Sequence, residues 1–315
     1  MQSVMLGMIV PGILLSTASR VVEEPLKTEP TTEATQPTEP TELEEPHLIS
    51  VILPNGERES MELEEYISRV VLGEVPAGFD IEALKAQAIA ARTYTLRCVR
   101  LEDKHSGGVC TDYRCCQAYK DPREYVENGG TGNNLAKVYY AVAQTKGEVL
   151  RYEGELICAT YFANAGGSTE DAQAVWGQPY PYLKVVSSPE GEDSAYFSDS
   201  CSFTLEEFQY ILGETLTGKT DSWFGNISKT PGGGVDTIRI GGKFYTGIEV
   251  RSMFSLRSTI FTVTVTEDTV TFYTKGYGHR VGMSQYGAQA MAQQDSTCEE
   301  ILAHYYPGTS LEQYD

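Results

Sequence analysis

The sequence predicts an α+β protein: an antiparallel, β-rich core with long helices on its N-terminal side and further helices at its C-terminal end, preceded by an anchor and a disordered linker. Three observations predict it. Apolar residues recur at helical spacing from Leu63 to Val71, and an Ala-rich stretch follows. Residues 147–162 and 235–274 are rich in strand-forming side chains between turn signals. A capping-box pattern, Thr297-x-x-Glu300, opens one more helix near the end.

A chain of 315 residues that is 41% hydrophobic can bury a substantial core, in one large domain or two modest ones. Its formal net charge of −20 argues against nucleic acid as a partner, because such binding relies on Lys and Arg neutralising phosphates. Much of the charge is local: residues 23–46 hold eight Glu against the single Lys27, a contribution of −7 that leaves −13 for the remainder. A neutral or mildly charged substrate is therefore allowed.

Residues 1–19, MQSVMLGMIVPGILLSTAS, form an apolar run without Asp or Glu, followed by Arg20. The run is short against the roughly 20 apolar residues of a full membrane span, and it lacks the basic start usual in a signal peptide. Residues 1–22 are expected to be an export signal or a membrane anchor, which length alone does not separate. Either would put the folded part on the extracytoplasmic side of the cytoplasmic membrane, or secrete it. Residues 23–46 carry five prolines and six threonines with almost no large apolar groups, so ordering them would cost entropy with nothing buried in return. Proline and like-charge repulsion keep such a segment extended as a tether.

The folded domain is expected over 47–312. LISVILPNG, from Leu48, reads as a strand ending in the turn dipeptide Asn55-Gly56. Next, Leu63, Tyr66, Ile67, Val70 and Val71 follow the spacing of an amphipathic helix, and Glu74 falls near the middle of that apolar stripe. An inward carboxylate loses solvation in its charged form, so its pKa rises toward what a general acid needs near neutral pH. The plainer alternative is a helix-end Glu, exposed where Gly73 and Pro76 stop the helix. Asp80 reads as the N-cap of a second helix, with Phe79 and Leu84 as a hydrophobic staple. Its Ala-rich body suits a central position, with Arg92 and Tyr94 either near the Glu74 end of its neighbour or facing solvent.

His105, Cys110, Cys115 and Cys116 lie within twelve residues of a loop marked by Gly107 and Gly108, a density of soft ligands that suggests tetrahedral zinc. The spacing is not that of a zinc finger, and adjacent cysteines usually point apart, so both reaching one metal requires an unusual turn. With seven cysteines in an exported chain, disulfides involving Cys98, Cys158, Cys201 and Cys298 are the alternative. Farther on, 147–162 reads as a hairpin turning at Glu153-Gly154, Leu205 to Leu212 as a short helix, and 297–308 as a helix closed by Pro307-Gly308. Residues 188–275 are a possible inserted subdomain. Repeats, a Walker loop and a dinucleotide fingerprint are absent.

The stretch YISRVVLGEVPAGFDIEALKAQAIAARTYTL, from Tyr66, resembles the signature of the SpoIID/LytB family, a Gly-Glu-(Met/Val)-Pro step followed by an EALKAQA-AARTY helix. CQAY at 116–119, GEVLRYEGELICATYFANAGGSTEDAQAVWG at 147–177, PYL at 181–183 and GYGHRVGMSQYGAQAMA at 276–292 extend the resemblance over 47–310. It implies a peptidoglycan lytic transglycosylase that cleaves the MurNAc to GlcNAc bond of peptide-free glycan strands and leaves a 1,6-anhydro end, with Glu74 as the catalytic acid/base. Arg92 matches an Arg of the family helix and is expected to orient substrate or the carboxylate. In the C-terminal block, His279, Ser284, Gln285 and Tyr286 read as substrate-binding residues of a cleft wall, where Gly276 and Gly278 admit close backbone approach. The alternative is a tight packed loop with His279 in the core. Arg280 stands where the family pattern usually has Gly.

The resemblance also implies structural zinc on the His105, Cys110, Cys115 and Cys116 set, although a His takes the Cys115 place in some relatives. It implies sporulation engulfment as the setting and a membrane-anchored amidase as a partner. Three other functions are alternatives. A non-catalytic wall-binding module that enhances an amidase would not need a buried acid. A zinc hydrolase would need an open coordination position, and a Cys-His nucleophile would need local context that no cysteine here has.

Overall fold

The computed structural model describes residues 47–102 and 105–314; the export segment and tether read in 1–22 and 23–46 lie outside the described residues. Folding starts where the apolar alternation starts. Strand β1 (Leu48–Ile52) buries Ile49 and Val51, turns through Asn55-Gly56, and pairs antiparallel with β2 (Arg58–Glu62). Helix α1 (Leu63–Glu74) follows without a break and buries Tyr66, Ile67, Val70 and Val71. Asp80 caps α2 (Ile81–Arg97) through the Glu82 amide at 3.1 Å.

Helix α2 is the centre of the fold. It packs against α1, α4, α8, α9 and β4, the last four labelled below, because Ala83, Ala86, Ala88, Ala90 and Ala91 are buried and hold no neighbour at a distance. Beyond it come β3 (Gly108–Cys110), α3 (Pro122–Glu127) and α4 (Gly132–Gln144), then the hairpin of β4 (Glu148–Tyr152) and β5 (Glu155–Leu156). Glu153 and Gly154 both take positive φ, 52° and 84°, as a two-residue turn of that hairpin requires. Strand β6 (Tyr161–Phe162) and α5 (Ala172–Trp176) lead to the second half of the chain.

That half begins with β7 (Ser198–Thr204), α6 (Leu205–Leu212), β8 (Phe224–Lys229), β9 (Val235–Ile240), β10 (Lys243–Thr246) and α7 (Gly247–Met253). Next are β11 (Ile260–Val265) and β12 (Thr269–Lys275), and β12 pairs antiparallel with β7 so that Lys275 faces Ser198. The stretch from 198 to 275 thus closes on itself, around its own apolar cluster of Phe208, Trp223, Phe254 and Phe272. Phe208 and Phe254 stack with ring centroids 4.9 Å apart. Residues Pro46–Asp315 nevertheless form one unit by their contacts. The chain ends with β13 (Met283–Ser284), α8 (Gln285–Ala292), α9 (Cys298–Tyr305) and β14 (Ser310–Gln313), which pairs with β4.

The architecture is α+β. The strands form small separate sheets among the described residues, ordered β2-β1-β3, β14-β4-β5, β6-β13, β11-β12-β7 and β10-β9-β8. Pairing is antiparallel except for β1 with β3 and β6 with β13. No helix among the described residues is long and apolar enough to cross a membrane.

Arg92 is fully buried and grips Glu64, near the start of α1, through Nε at 2.8 Å and Nη2 at 2.5 Å. Its Nη1 also donates to the Glu148 carbonyl at 3.1 Å. Glu64 and Glu74 lie ten residues apart on one helix, about 15 Å at the helical rise, so Arg92 orients neither substrate nor the Glu74 carboxylate. It instead joins α1, α2 and β4. Replacing Glu64 by Ala leaves Arg92 as an uncompensated buried charge and is expected to cost about 3–5 kcal/mol in urea unfolding. The double replacement Glu64→Leu with Arg92→Met should recover most of that loss; a double variant no more stable than the single would show that packing, not the stranded charge, sets it.

Candidate active site

Glu74 is the last residue of α1, and Gly73 beside it is what lets a second segment reach it. A Cβ on Gly73 would stand 2.7 Å from the Tyr119 nitrogen and 2.9 Å from the Ala118 carbonyl carbon. With no Cβ there, the 117–119 backbone lies against the helix end and the Ala118 N–H donates to Glu74 Oε1 at 2.6 Å. From the other side the Gln285 amide donates to Oε2 at 3.3 Å. The parallel pairing of β6 with β13 brings Tyr161 into the same place, and its hydroxyl donates to Gln117 Oε1 at 2.7 Å. Gln117 is held in turn by the Thr95 hydroxyl of α2 at 2.8 Å.

Burial raises the pKa of Glu74 above its ordinary value. The Ala118 N–H, the Gln285 amide and the Tyr161 hydroxyl pull the other way, and burial wins. The position of Glu74 at the negative end of the α1 dipole acts in the same direction as burial. The result is a half-buried carboxyl group biased toward its protonated form, yet supplied with donors that can receive its charge.

Glu74 opens into a cleft of about 620 Å³. Among the residues lining it, Glu74 is the single carboxylate; Tyr94, Tyr113, Tyr161, Phe162, Trp176, Tyr196 and Tyr277 give it an aromatic wall, and Gln117 and Gln285 supply amides. Trp176, Tyr196 and Tyr277 are 39%, 44% and 42% exposed, so part of each ring is open to a ligand, although the Arg257 guanidinium lies 5.6 Å from the centroids of both tyrosine rings. Aromatic faces with amide and hydroxyl groups between them suit sugar rings, which present apolar faces and polar rims.

The C-terminal candidates divide. Gln285 lines the cleft and touches Glu74. His279 also lines it, between Phe162 and Trp176 with ring centroids 5.6 and 5.4 Å away. Its Nδ1 accepts from the Val281 N–H at 3.1 Å, and its ring donates to the Tyr161 carbonyl. Burial, aided by the charge of Arg251, pushes its pKa down to about 4. A neutral ring with both nitrogens engaged by backbone offers the ligand an aromatic surface and no proton. Ser284 is not a substrate contact. It is fully buried, caps α8 through the Gly287 amide at 3.1 Å and donates to Glu190. Tyr286 stands one row back, packed edge-on against Phe79 and Tyr196.

Sequence reasoning missed Tyr161, Gln117, Trp176, Tyr196, Tyr277 and Arg251. Tyr277, between Gly276 and Gly278, carried a signal as an aromatic on a glycine-flanked loop. Tyr196, at a left-handed φ of 66°, carried none.

His105, Cys110, Cys115 and Cys116 each bring one donor atom to within 4.8 Å of the others. About 3.8 Å separates ligands on a tetrahedral ion with 2.3 Å metal–sulfur bonds, so this soft donor set could hold a metal. The required turn exists: the Cys115 and Cys116 amides both donate to the Asp112 carbonyl at 2.9 Å. That folds the two neighbouring side chains toward Cys110, which β3 holds beside β1. The Cys110 amide points at Cys116 Sγ, 3.5 Å away. No disulfide joins the cysteines of the described residues. Cys115 and Cys116 also line the cleft, so this loop and the Glu74 site share a wall.

Comparison with known proteins adds to this geometry. The family model described as stage II sporulation protein matches residues 56–152. Stage II sporulation protein D of Bacillus subtilis (strain 168) is 40% identical over 267 residues, which span 83% of this chain and 77% of that protein. Its counterpart in Bacillus amyloliquefaciens is 39% identical, with the same coverage. A protein named amidase enhancer from Bacillus subtilis is 30% identical over 78% of this chain but only 40% of its own length.

The raised pKa of Glu74 has a stability consequence with a definite sign. A carboxyl group that holds its proton more tightly when folded weakens the fold as pH rises from its unfolded pKa through its folded one, and costs nothing below both. Glu74→Gln should therefore raise the thermal midpoint at pH 8, with the gain fading as pH falls into the ordinary carboxylate range. A gain independent of pH, measured by calorimetry at pH 4 and pH 8, would mean that ionisation is not its source.

Proposed function

The chain belongs to the stage II sporulation protein D family, and from that premise we propose that it is a lytic transglycosylase acting on peptide-free glycan strands of peptidoglycan during sporulation engulfment. The observation that carries this reading is the lone Glu74 in an aromatic cleft. Ordinary glycosidases use two carboxyl groups, one as acid and one as nucleophile or base. A transglycosylase whose nucleophile is the sugar's own 6-hydroxyl needs only one.

The protonated Glu74 donates its proton to the glycosidic oxygen as the bond from the MurNAc anomeric carbon to that oxygen breaks. The 6-hydroxyl oxygen of the same MurNAc then bonds to the anomeric carbon, and its proton passes to the Glu74 carboxylate. The acid is regenerated and no water is consumed. Between the two transfers the Ala118 N–H and the Gln285 amide, already directed at the two carboxylate oxygens, stabilise the transient charge. Trp176, Tyr196 and Tyr277 hold the neighbouring sugars.

In this reading the His105, Cys110, Cys115 and Cys116 set holds zinc. Four protein ligands make the ion a structural cross-link, which leaves no open position for chemistry. It would tie down the turn that leads directly into Gln117 and Ala118. The domain works outside the cytoplasmic membrane, with residues 1–22 exporting or anchoring it, and an amidase that removes stem peptides supplies its substrate. Similarity to a protein named amidase enhancer supports a second reading, a non-catalytic module that helps an amidase. An enhancer has no use for a carboxyl group whose pKa is raised by burial in the wall of a cleft.

Two experiments test these readings. Peptide-free glycan strands incubated with the protein should yield anhydro-ended fragments by mass spectrometry, and Glu74→Gln should yield none; intact strands in both reactions would sink the enzyme and favour the enhancer. The purified protein should carry about one zinc per chain, and Cys110→Ser or Cys116→Ser should lose it. Chelation should lower both the thermal midpoint and the cleavage rate, because the ion orders the segment that presents the Ala118 amide. Full metal content in both cysteine variants would overturn the zinc assignment.

A further inference from the structure

The cleft contains a cation that the acid/base chemistry does not use. Arg251 sits in the last turn of α7 and lines the same cleft as Glu74, near His279 and Tyr277. Its position is fixed from both sides. A Thr246–Glu249 capping box sets the start of α7. At its end the Arg251 Nε donates to the Leu256 carbonyl at 3.3 Å, and the Arg251 carbonyl accepts from the Leu256 amide at 2.9 Å. That leaves the two terminal guanidinium nitrogens without a protein partner among the described residues.

No carboxylate among the described residues pairs with Arg251. The other cations nearby are balanced: Arg114 by Asp112 at 3.1 Å, Arg257 by Asp199 at 2.9 Å, and the fully buried Arg280 by Glu170 at 3.7 Å. Glu190 is held by the Ala165 amide and Ser284. His279, which lies near Arg251, is neutral. A half-buried guanidinium with no counter-charge is costly in the free protein, and a chain of net charge −20 that keeps one in its substrate cleft must gain from it when ligand binds. The free fork matches one carboxylate, in the two-point geometry that arginine gives and lysine does not.

We propose that Arg251 is a specificity-determining residue that binds the free lactyl carboxylate of a peptide-free muramic acid unit. This rests on the reading of the cleft as a glycan site. The chemistry then discriminates between strands. While a stem peptide is attached, the lactyl carboxyl is a neutral amide and Arg251 gains no counter-charge from it. Once the peptide is removed, a carboxylate appears on an otherwise neutral sugar chain. The same cleft, whose other lining cation, Arg114, is already paired with Asp112, then distinguishes stripped from unstripped strands by one ionic contact. Carboxylates farther along an attached stem peptide are the alternative source of negative charge.

The test separates binding from turnover by using Glu74→Gln as the parent. Three probes are titrated by calorimetry: peptide-free strands, the same strands with lactyl carboxylates converted to methylamides, and strands retaining stem peptides. Glu74→Gln should bind the free-carboxylate strands about tenfold more tightly than the methylamides, the size expected of one charge-assisted contact. Glu74→Gln with Arg251→Gln should bind both at the weaker level, and its retained affinity for methylamide strands shows that it is folded. Glu74→Gln with Arg251→Lys should keep only part of the preference. Equal binding of both strands by Glu74→Gln, a preference that survives Arg251→Gln, or tightest binding to peptide-bearing strands would each overturn the assignment. Failure of the enzyme reading would appear separately, as intact glycan in the cleavage assay.

Discussion

The close approach of the 117–119 backbone to the end of α1 is the constraint on which the site depends. It requires a glycine at position 73, since a side chain there would collide with the main chain of Ala118 and Tyr119. It delivers the Ala118 amide to Glu74, and it places Gln117 where the Tyr161 hydroxyl and Thr95 can both hold it. The turn carrying Cys115 and Cys116 lies immediately before this segment. Cys115 and Cys116, two of the candidate metal ligands, thus lie only two or three residues before the amide that meets Glu74. An ion held by such a loop would act on the proposed chemistry by fixing an amide, without touching substrate.

Glu74 is the product of opposed effects. Burial and the end of the helix dipole favour the neutral acid, while two directed N–H groups favour the anion. Either alone would give a poor acid/base group. Burial without donors would strand a charge after proton transfer, and donors without burial would leave Glu74 ionised and unable to protonate a leaving group. His279 shows the same physics with another outcome: burial and a neighbouring guanidinium hold it neutral, so it serves as a wall.

Much of this was legible in the sequence where the signal is local. The helical spacing from Leu63 to Val71 placed α1 and aimed Glu74 inward; Glu153-Gly154 and Thr297-x-x-Glu300 marked a turn and a cap that the structure contains. Helix spacing does not report a partner 28 residues distant, so the burial of Arg92 against Glu64 was hidden although both lie in well-patterned helices. The pairing of β6 with β13 joins residues more than a hundred positions apart through two-residue strands that have no periodicity, and with it went Tyr161. The Cys115-Cys116 turn was unreadable for a different reason. Adjacent side chains converge only because two successive amides share the Asp112 carbonyl, a geometry that composition does not encode.

Arg280 explains how residues from the two halves of the chain hold a common geometry. It takes a φ of 68°, which for a residue with a Cβ costs about 1–2 kcal/mol, at a position where glycine would be at ease. The guanidinium offsets that cost by donating to the carbonyls of Ala165 at 3.1 Å, Ser168 at 2.9 Å and Gly232 at 2.5 Å. Glu170 completes the joint by accepting from the Gly232 amide at 3.0 Å. Gly232 belongs to the β8–β9 turn of the second apolar cluster, whereas Ala165 and Ser168 follow the strand that carries Tyr161. A single buried side chain therefore ties the half that supplies Arg251 to the half that supplies Glu74. In the proposed reaction, charge recognition and proton transfer would have to act on one sugar chain at once, and a joint made of carbonyls around a fixed cation resists the shear that would separate them.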